Sequence, residues 1–339
     1  MKLVDLIGED GKLVIPEDGF VIITEGEFSH CKKLAAIEIP ANVILIKDGA
    51  FQYCGGLSSI IVSEDNASYR SINNCCISKA DDVLLFGCKN SIIPDGVKRI
   101  GYYAFSGCAG LTSIKIPNSV ILIDWYAFSE CTGLQSIEIP EGVTSILPWA
   151  FPGCTALTSV KIPNSVKLIG GNAFHGCSKL ASVEIPDSIT EIMGGTFRDC
   201  TGLTSVKIPD SVKEIGEYAF SGCKGLTSAE IPDGVGAIWE MAFADCVGLT
   251  SIQISSNVEH IEDDAFQNCI GLKSVCISAG DIASEQTKNV LNIVRLFDPS
   301  IVTLKVPAGC GDAYRHHSDF EGKFKEILES ECNKSRRLY

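Results

Sequence analysis

A phenylalanine followed three residues later by a cysteine recurs through most of this chain. The pairs are Phe28/Cys31, Phe51/Cys54, Phe105/Cys108, Phe128/Cys131, Phe151/Cys154, Phe174/Cys177, Phe197/Cys200, Phe220/Cys223, Phe243/Cys246 and Phe266/Cys269. Successive pairs stand 23 residues apart, with one interval of 54. A fixed period of this length is the signature of a solenoid, because so small a unit buries its apolar face only by stacking on its neighbours. Length alone would suggest two or three domains for 339 residues. The period predicts one continuous core, built layer by layer.

The regular unit reads Leu-x-x-Ile-x-Ile-Pro, then Val-x-x-Ile, then Ala-Phe-x-x-Cys. In residues 111–117, Ile114 and Ile116 alternate with Ser113 and Lys115, the period-two pattern of a strand with one buried face. Pro117 lacks an N–H and ends that strand, and Asn118 and Ser119 turn the chain. Val120 and Ile123 then form a second short inward segment, and Ala127, Phe128 and Cys131 fill the far side of the coil. Strand endings from Pro16 to Pro307 count thirteen layers.

These features define a single solenoid over 1–339, with an N-terminal cap at 1–30, repeats at 31–278 and a helical C-terminal cap at 279–339. The interval 63–94 is eight residues too long for the period. Within it, residues 69–78 and 83–86 flank Lys79-Ala-Asp-Asp82, predicting a small hairpin in place of the Ala-Phe corner. Beyond 278, Ser284 caps a predicted helix with Val290, Leu291, Val294 and Phe297 on one face. Phe320, Phe324, Ile327 and Leu328 then recur at helical spacing, predicting a lid on the last layer.

A net charge of −14 disfavours nucleic acid and anionic lipid as partners through any overall positive field. No segment approaches the roughly 20 apolar residues that cross a bilayer, so no membrane insertion is expected. The first ten residues carry Asp5, Glu9 and Asp10 and no apolar run, which does not read as an export signal. Ten of the 16 cysteines occupy one phase of the repeat. That is a packing pattern, since a thiol behaves as a small buried hydrophobe, and spacing of 23 differs from the paired cysteines of zinc sites. Cys75, Cys76, Cys88, Cys276, Cys310 and Cys332 lie off this ladder.

The unit resembles the bacterial surface antigen type of leucine-rich repeat, the BspA-like or Treponema pallidum class, whose pattern is similar to Leu-x-x-Ile-x-Ile-Pro-x-x-Val-x-x-Ile-Gly-x-x-Ala-Phe-x-x-Cys. Residues 207–223, Lys-Ile-Pro-Asp-Ser-Val-Lys-Glu-Ile-Gly-Glu-Tyr-Ala-Phe-Ser-Gly-Cys, are close to an ideal copy. The eight-residue excess resembles an insertion common in that class, and residues 306–315 are similar to its usual C-terminal turn. The resemblance implies a leucine-rich-repeat arc with parallel β-strands on one face, mostly β and loop, with short C-terminal helices. It also implies no catalytic activity, no cofactor, a place on or outside bacterial cells, and adhesion or binding of host or matrix partners.

No catalytic or metal constellation emerges from the sequence. His30 and His175 occupy return loops in layers far apart, and His316 and His317 sit in the C-terminal turn. Gly170-Gly171 and Gly194-Gly195 lack the Lys and Ser of a phosphate loop. The outward strand positions read Lys115, Glu138, Lys161, Glu184, Lys207, Glu230 and Gln253 beside a row of serines. Opposite charges on neighbouring strands set register, so this face is expected to be structural. The corner before Ala-Phe is more varied: Tyr102, Tyr103, Trp125, Tyr126 and Trp149 place large aromatics on three consecutive layers. Two readings stand side by side for these five, an interface anchor and a ring stack that stabilises neighbouring turns. The function expected is non-enzymatic recognition or adhesion, binding a host or matrix protein or a glycan. The alternative is an intracellular protein-interaction scaffold.

Overall fold

The computed structural model describes residues 3–262, 264–278, 302–317, 321–322 and 324–330. They fall into two compact units, Met1–Leu180 and Ala181–Tyr339.

In the first unit the alternating Ile-x-Ile segments pair as parallel strands one repeat apart. Lys12–Val14, Ala36–Ile39 and Ser59–Val62 form one ladder, with Leu13, Ile37 and Ile60 in register and buried. Ser136–Glu138 and Ser159–Lys161 form another, pairing Ser136 with Ser159 and Glu138 with Lys161. The Val-x-x-Ile segments build a second ladder through Arg99–Ile100, Leu122–Ile123, Ser145–Ile146 and Leu168–Ile169. Each layer is thus held twice by backbone hydrogen bonds, with the apolar residue of every short strand turned inward.

A third set of backbone bonds runs along the Ala-Phe corner. The N–H groups of Phe105, Phe128 and Phe151 donate to the carbonyls of Ala127, Ala150 and Ala173 at 2.7 to 2.8 Å. The phenyl rings stack behind them: Phe105, Phe128, Phe151 and Phe174 lie 5.0 to 5.3 Å apart with planes within 4°. Most ladder thiols have a specific partner as well. The Sγ atoms of Cys131, Cys154 and Cys177 donate to the carbonyls of Phe105, Phe128 and Phe151 at 3.1, 3.2 and 3.3 Å. Cysteine therefore fits this position as a small apolar group that also supplies a weak donor to a buried carbonyl.

The second unit repeats this plan. Ser182–Glu184 pairs with Ser205–Lys207, and Ser228–Ile231, Ser251–Ile254 and Ser274–Ile277 stack in parallel. Phe197, Phe220, Phe243 and Phe266 stack at 5.2 to 5.5 Å.

The insertion is larger than one hairpin. Tyr69–Ile72 and Cys75–Ser78 pair antiparallel around Asn73-Asn74, both at positive φ as a two-residue turn of the primed type requires. Cys75–Ser78 then pairs antiparallel with Val83–Phe86, which returns to the second ladder beside Arg99–Ile100. At the hairpin base the N–H of Ile46 donates to the Tyr69 hydroxyl at 2.9 Å. At its tip the N–H groups of Ile60 and Val62 donate to Asn74 Oδ1 and Ser71 Oγ, capping the edge of strand Ser59–Val62. Buried Asn66 anchors the entry: its amide donates to the Pro40 and Val43 carbonyls and its carbonyl accepts the N–H groups of Ser68 and Tyr69.

At the C-terminus a short helix, Gly311–Arg315, follows strand Thr303–Val306. The helical lid expected through Phe324, Ile327 and Leu328 is corrected here, because Glu326–Glu329 is a strand parallel to Thr303–Val306. The open edge of Thr303–Val306 offers four residues of backbone pairing, and this outweighs the helical spacing of three apolar side chains. The helix expected to start at Ser284, and Phe320, lie outside the described residues.

Candidate recognition surfaces

The corner that carries the aromatics has two files. In the inner file, two residues before each Phe, the backbone is left-handed: Tyr103, Tyr126, Trp149 and Asn172 have φ of 56 to 58°, where Gly26 and Gly49 stand in earlier layers at 66 and 68°. A left-handed non-glycine residue costs roughly 1–2 kcal/mol. Ring stacking contributes about 0.5–1.5 kcal/mol per pair beyond buried area. Here the rings do stack. Tyr103 and Tyr126 lie 4.9 Å apart at 15°, and Tyr126 and Trp149 lie 5.9 Å apart at 18°. The two magnitudes are comparable, so stacking offsets the backbone strain.

Sequence spacing concealed how far this stack extends. His30 lies 4.5 Å from Tyr53 at 5°, Tyr53 lies 6.3 Å from Tyr103, and Trp149 meets His175 edge-on at 5.4 Å. The two histidines expected in distant layers thus end one file of six rings. Tyr53 joins because the insertion lacks an Ala-Phe corner, so the loops on either side of it close together. The N–H of Tyr53 donates to the Ser106 carbonyl at 3.0 Å, and a Cβ on Gly107 would fall 2.5 Å from Tyr53 Cα. The 54-residue interval was the available signal for this closure.

The outer file, three residues before each Phe, holds Tyr102, Trp125 and Pro148. Tyr102 packs edge-on against Tyr103 at 4.3 Å and Tyr126 at 6.0 Å. Trp125 is 41% exposed and has no ring partner among the described residues. Its backbone is nevertheless fixed. Its N–H donates to Asp124 Oδ1 at 2.8 Å, and the nearly buried Asp124 carboxylate pairs with Arg99 at 2.7 Å. The structure therefore brings Tyr102, Tyr103, Tyr126 and Trp149 into mutual contact and leaves Trp125 apart. Burial pushes the Tyr103 and Tyr126 hydroxyls above the usual phenol range, so both remain neutral at physiological pH.

On the strand face, Glu138 and Lys161 pair at 3.6 Å with both side chains largely exposed. Such a pair contributes at most a few tenths of a kcal/mol, which suits a register device. Glu184 and Lys207 hold the same register in the second unit. Upstream of Lys115 the face changes character. There Ile61, Ile72 and Ile92 are exposed at 52, 39 and 65%. Ile61 occupies the outward strand position, Ile92 the equivalent place two residues before Pro94, and Ile72 is supplied by the hairpin tip.

The thiols are poorly disposed to chemistry. Burial pushes Cys54, Cys75 and Cys108 up to about 12, and a protonated thiol is a poor nucleophile and ligand. Cys276, at an outward strand position, is instead disulfide-bonded. Among the described residues no cluster of His, Cys, Asp and Glu could hold a metal ion, and no helix is long and apolar enough to cross a membrane.

Parallel strands on one face, short second strands and a Phe-Cys corner define the leucine-rich-repeat solenoid. The chain belongs to the BspA type leucine-rich repeat family, whose model matches in six copies over residues 11–83, 85–204 and 167–288. Proteins of this repeat class are typically binding scaffolds, which places the chain among protein-interaction folds. A leucine-rich repeat protein from Eubacterium ventriosum is 27% identical with a TM-score of 0.55, matched over 69% of this chain and 58% of its own length. The chain thus spans under two thirds of that protein. A leucine-rich repeat protein from Bacteroides ovatus, 23% identical with a TM-score of 0.52, shares the fold over 94% of this chain and 90% of its own. A leucine-rich cell surface protein from Faecalibacterium prausnitzii is 26% identical over 82% of this chain and 88% of its own, with a TM-score of 0.48. No curated protein sequence matches the chain.

Proposed function

We propose that this chain is a non-enzymatic recognition protein that binds a protein ligand through the aromatic corner, with Trp125 as its anchor and Tyr102, Tyr103, Tyr126 and Trp149 as the platform around it. The observation that carries this reading is Trp125 itself: exposed, without a ring partner, and held on a backbone fixed by Asp124 and Arg99. A large aromatic side chain on a preorganised backbone loses little entropy on binding, and tryptophan is enriched among the residues that dominate interfaces. A protein ligand is favoured over a glycan because the inner rings spend their faces on one another, leaving one free ring where sugar stacking would use several.

Two working places fit a repeat of this class, adhesion outside the cell and an intracellular scaffold. Protease treatment of intact native cells separates the two: digestion of the protein supports adhesion, and full protection supports the scaffold. For the ligand, the immobilised chain and its Trp125→Ala variant are compared against a panel of extracellular matrix proteins and mucin glycans. An anchor of about 2 kcal/mol predicts roughly 30-fold weaker binding of a matrix protein by the variant. Equal binding by both chains, or binding of glycans alone, sinks the reading.

A further inference from the structure

The inserted hairpin changes the strand face as well as the aromatic corner. Its tip is placed between strand Ser59–Val62 and the segment 91–94 by bonds on both sides. Asn74 and Ser71 accept N–H groups from strand Ser59–Val62, and on the other side Ile92 donates its N–H to the Asn73 carbonyl at 3.1 Å. Asn90 spans the same gap, donating to the Ser58 carbonyl at 3.1 Å. Ile61, Ile72 and Ile92 therefore lie on three successive rungs, and all three are exposed between the charged outward positions Glu38 and Lys115. A fold that needed the hairpin only to fill a layer would gain nothing from an exposed isoleucine on each rung. Contiguous exposed apolar surface of this kind, rimmed by polar groups, marks an interaction site.

The surroundings restrict what can cover it. Rungs about 4.8 Å apart put the outer two isoleucines roughly 10 Å apart along the ladder. Residues i, i+3 and i+7 of a helix rise about 4.5 and 10.5 Å and stay in step with three rungs. Alternate residues of an extended strand advance about 6.8 Å and fall out of step. The rim is divided by charge. Lys89 stands where the Ile92 segment begins and Lys115 on the next outward position, and neither has an ion-pair partner among the described residues. Exposed Glu64, Asp65 and Asp95 stand at the corner where these segments end.

We propose that Ile61, Ile72 and Ile92 form a docking site for an amphipathic helix of a protein partner, one whose apolar stripe is bordered by carboxylates on one side and by Lys or Arg on the other. The carboxylates meet Lys89, the basic border meets Glu64, Asp65 and Asp95, and Lys115 stands beyond the last isoleucine, at one end of the helix. This surface is distinct from Trp125, so the two assignments stand or fall separately.

The test uses the full chain and fluorescently labelled helical peptides of about 18 residues, built on an i, i+3, i+4, i+7 leucine stripe. One peptide has a Glu border and a Lys border, a second has Lys on both, and a third has Gln on both. Anisotropy is expected to show the mixed-border peptide binding at least tenfold tighter than either control. Ile92→Lys should abolish that binding with an unchanged thermal melt, because Ile92 is already 65% exposed, and Trp125→Ala should leave it intact. Equal binding of all three peptides, or full binding to Ile92→Lys, overturns the proposal. So does sedimentation showing a wild-type dimer that Ile92→Lys dissolves, which would assign the patch to a second copy of this chain.

Discussion

Asn74 Oδ1 accepts the backbone N–H of Ile60 at 3.1 Å, so a turn residue of the insertion closes the edge of a solenoid strand. Without that cap, and the parallel one from Ser71 to Val62, strand Ser59–Val62 would leave two edge donors unpaired where the repeat is broken. The insertion is thus a built part of the solenoid, and Asn66 is its anchor.

Asn66 is fully buried and makes four hydrogen bonds to backbone groups. Asn66→Ala leaves the Val43 carbonyl and the N–H groups of Ser68 and Tyr69 without this partner and takes one of two donors from the Pro40 carbonyl, so the loss should be about 3 kcal/mol or more. Urea unfolding measures it, and a loss below about 1 kcal/mol would contradict the role given to this side chain.

Gly107 sits at φ 73°, with Tyr53 Cα in the path of any Cβ. Gly107→Ala should therefore cost more than about 2 kcal/mol and separate Tyr53 from Tyr103, seen as altered near-ultraviolet circular dichroism. Gly96→Ala is the control, since Gly96 has φ 96° and no neighbour within 4 Å, and it should cost only the backbone strain. Equal losses at the two sites would mean that the loops do not close across the insertion.

The buried thiols, two on the ladder and Cys75 in the insertion, predict alkaline sensitivity. Cys54, Cys75 and Cys108 are pushed by burial from 9.0 up to about 12, so their folded values lie above the unfolded one. Their contribution is complete below about pH 9 and is lost as pH rises toward 12. Each pH unit in that window removes about 1.4 kcal/mol per thiol. Urea midpoints should fall steeply from pH 9 to 11, and Cys54→Ala should make the fall shallower. Midpoints that stay flat over this range would contradict the burial of these thiols.

At the other end of the pH scale, Glu329 accepts the N–H groups of Gly309 and Gly311 at 2.9 Å each, and these bonds hold its carboxyl below the usual range. A depressed value stabilises above the unfolded pKa of about 4.3 and is lost as pH falls through the folded one. Amide exchange at Gly309 and Gly311 should accelerate on acidification below that range, and Glu329→Gln should show the faster exchange already at pH 7. Unchanged protection in the variant would count against the clasp.

Period and alternation were enough to read the core and the register. Ser136 faces Ser159 and Glu138 faces Lys161 because a 23-residue repeat places like positions on neighbouring rungs. The surfaces were legible only in part, because they depend on where the period fails. Tyr53 belongs to the ring file although it follows its Phe, whereas Tyr103 precedes its own; only loop closure across the insertion brings them together. The apolar rungs escaped notice for a similar reason, since Ile72 reaches the strand face through a hairpin that the repeat pattern does not encode. At the C-terminus Ile327 and Leu328 had helical spacing, and the unpaired edge of Thr303–Val306 decided otherwise.

Two tryptophans on neighbouring layers have opposite roles. Trp149 is held in the ring file between Tyr126 and His175, whereas Trp125 stands free of it. Thermal melts and ligand titrations are measured together on Trp125→Ala and Trp149→Ala. Trp125→Ala should keep the wild-type melting temperature and lose roughly 30-fold in affinity, while Trp149→Ala should lower the melting temperature by several degrees. Trp125→Ala with full affinity, or with a melt as depressed as that of Trp149→Ala, would contradict this division of roles.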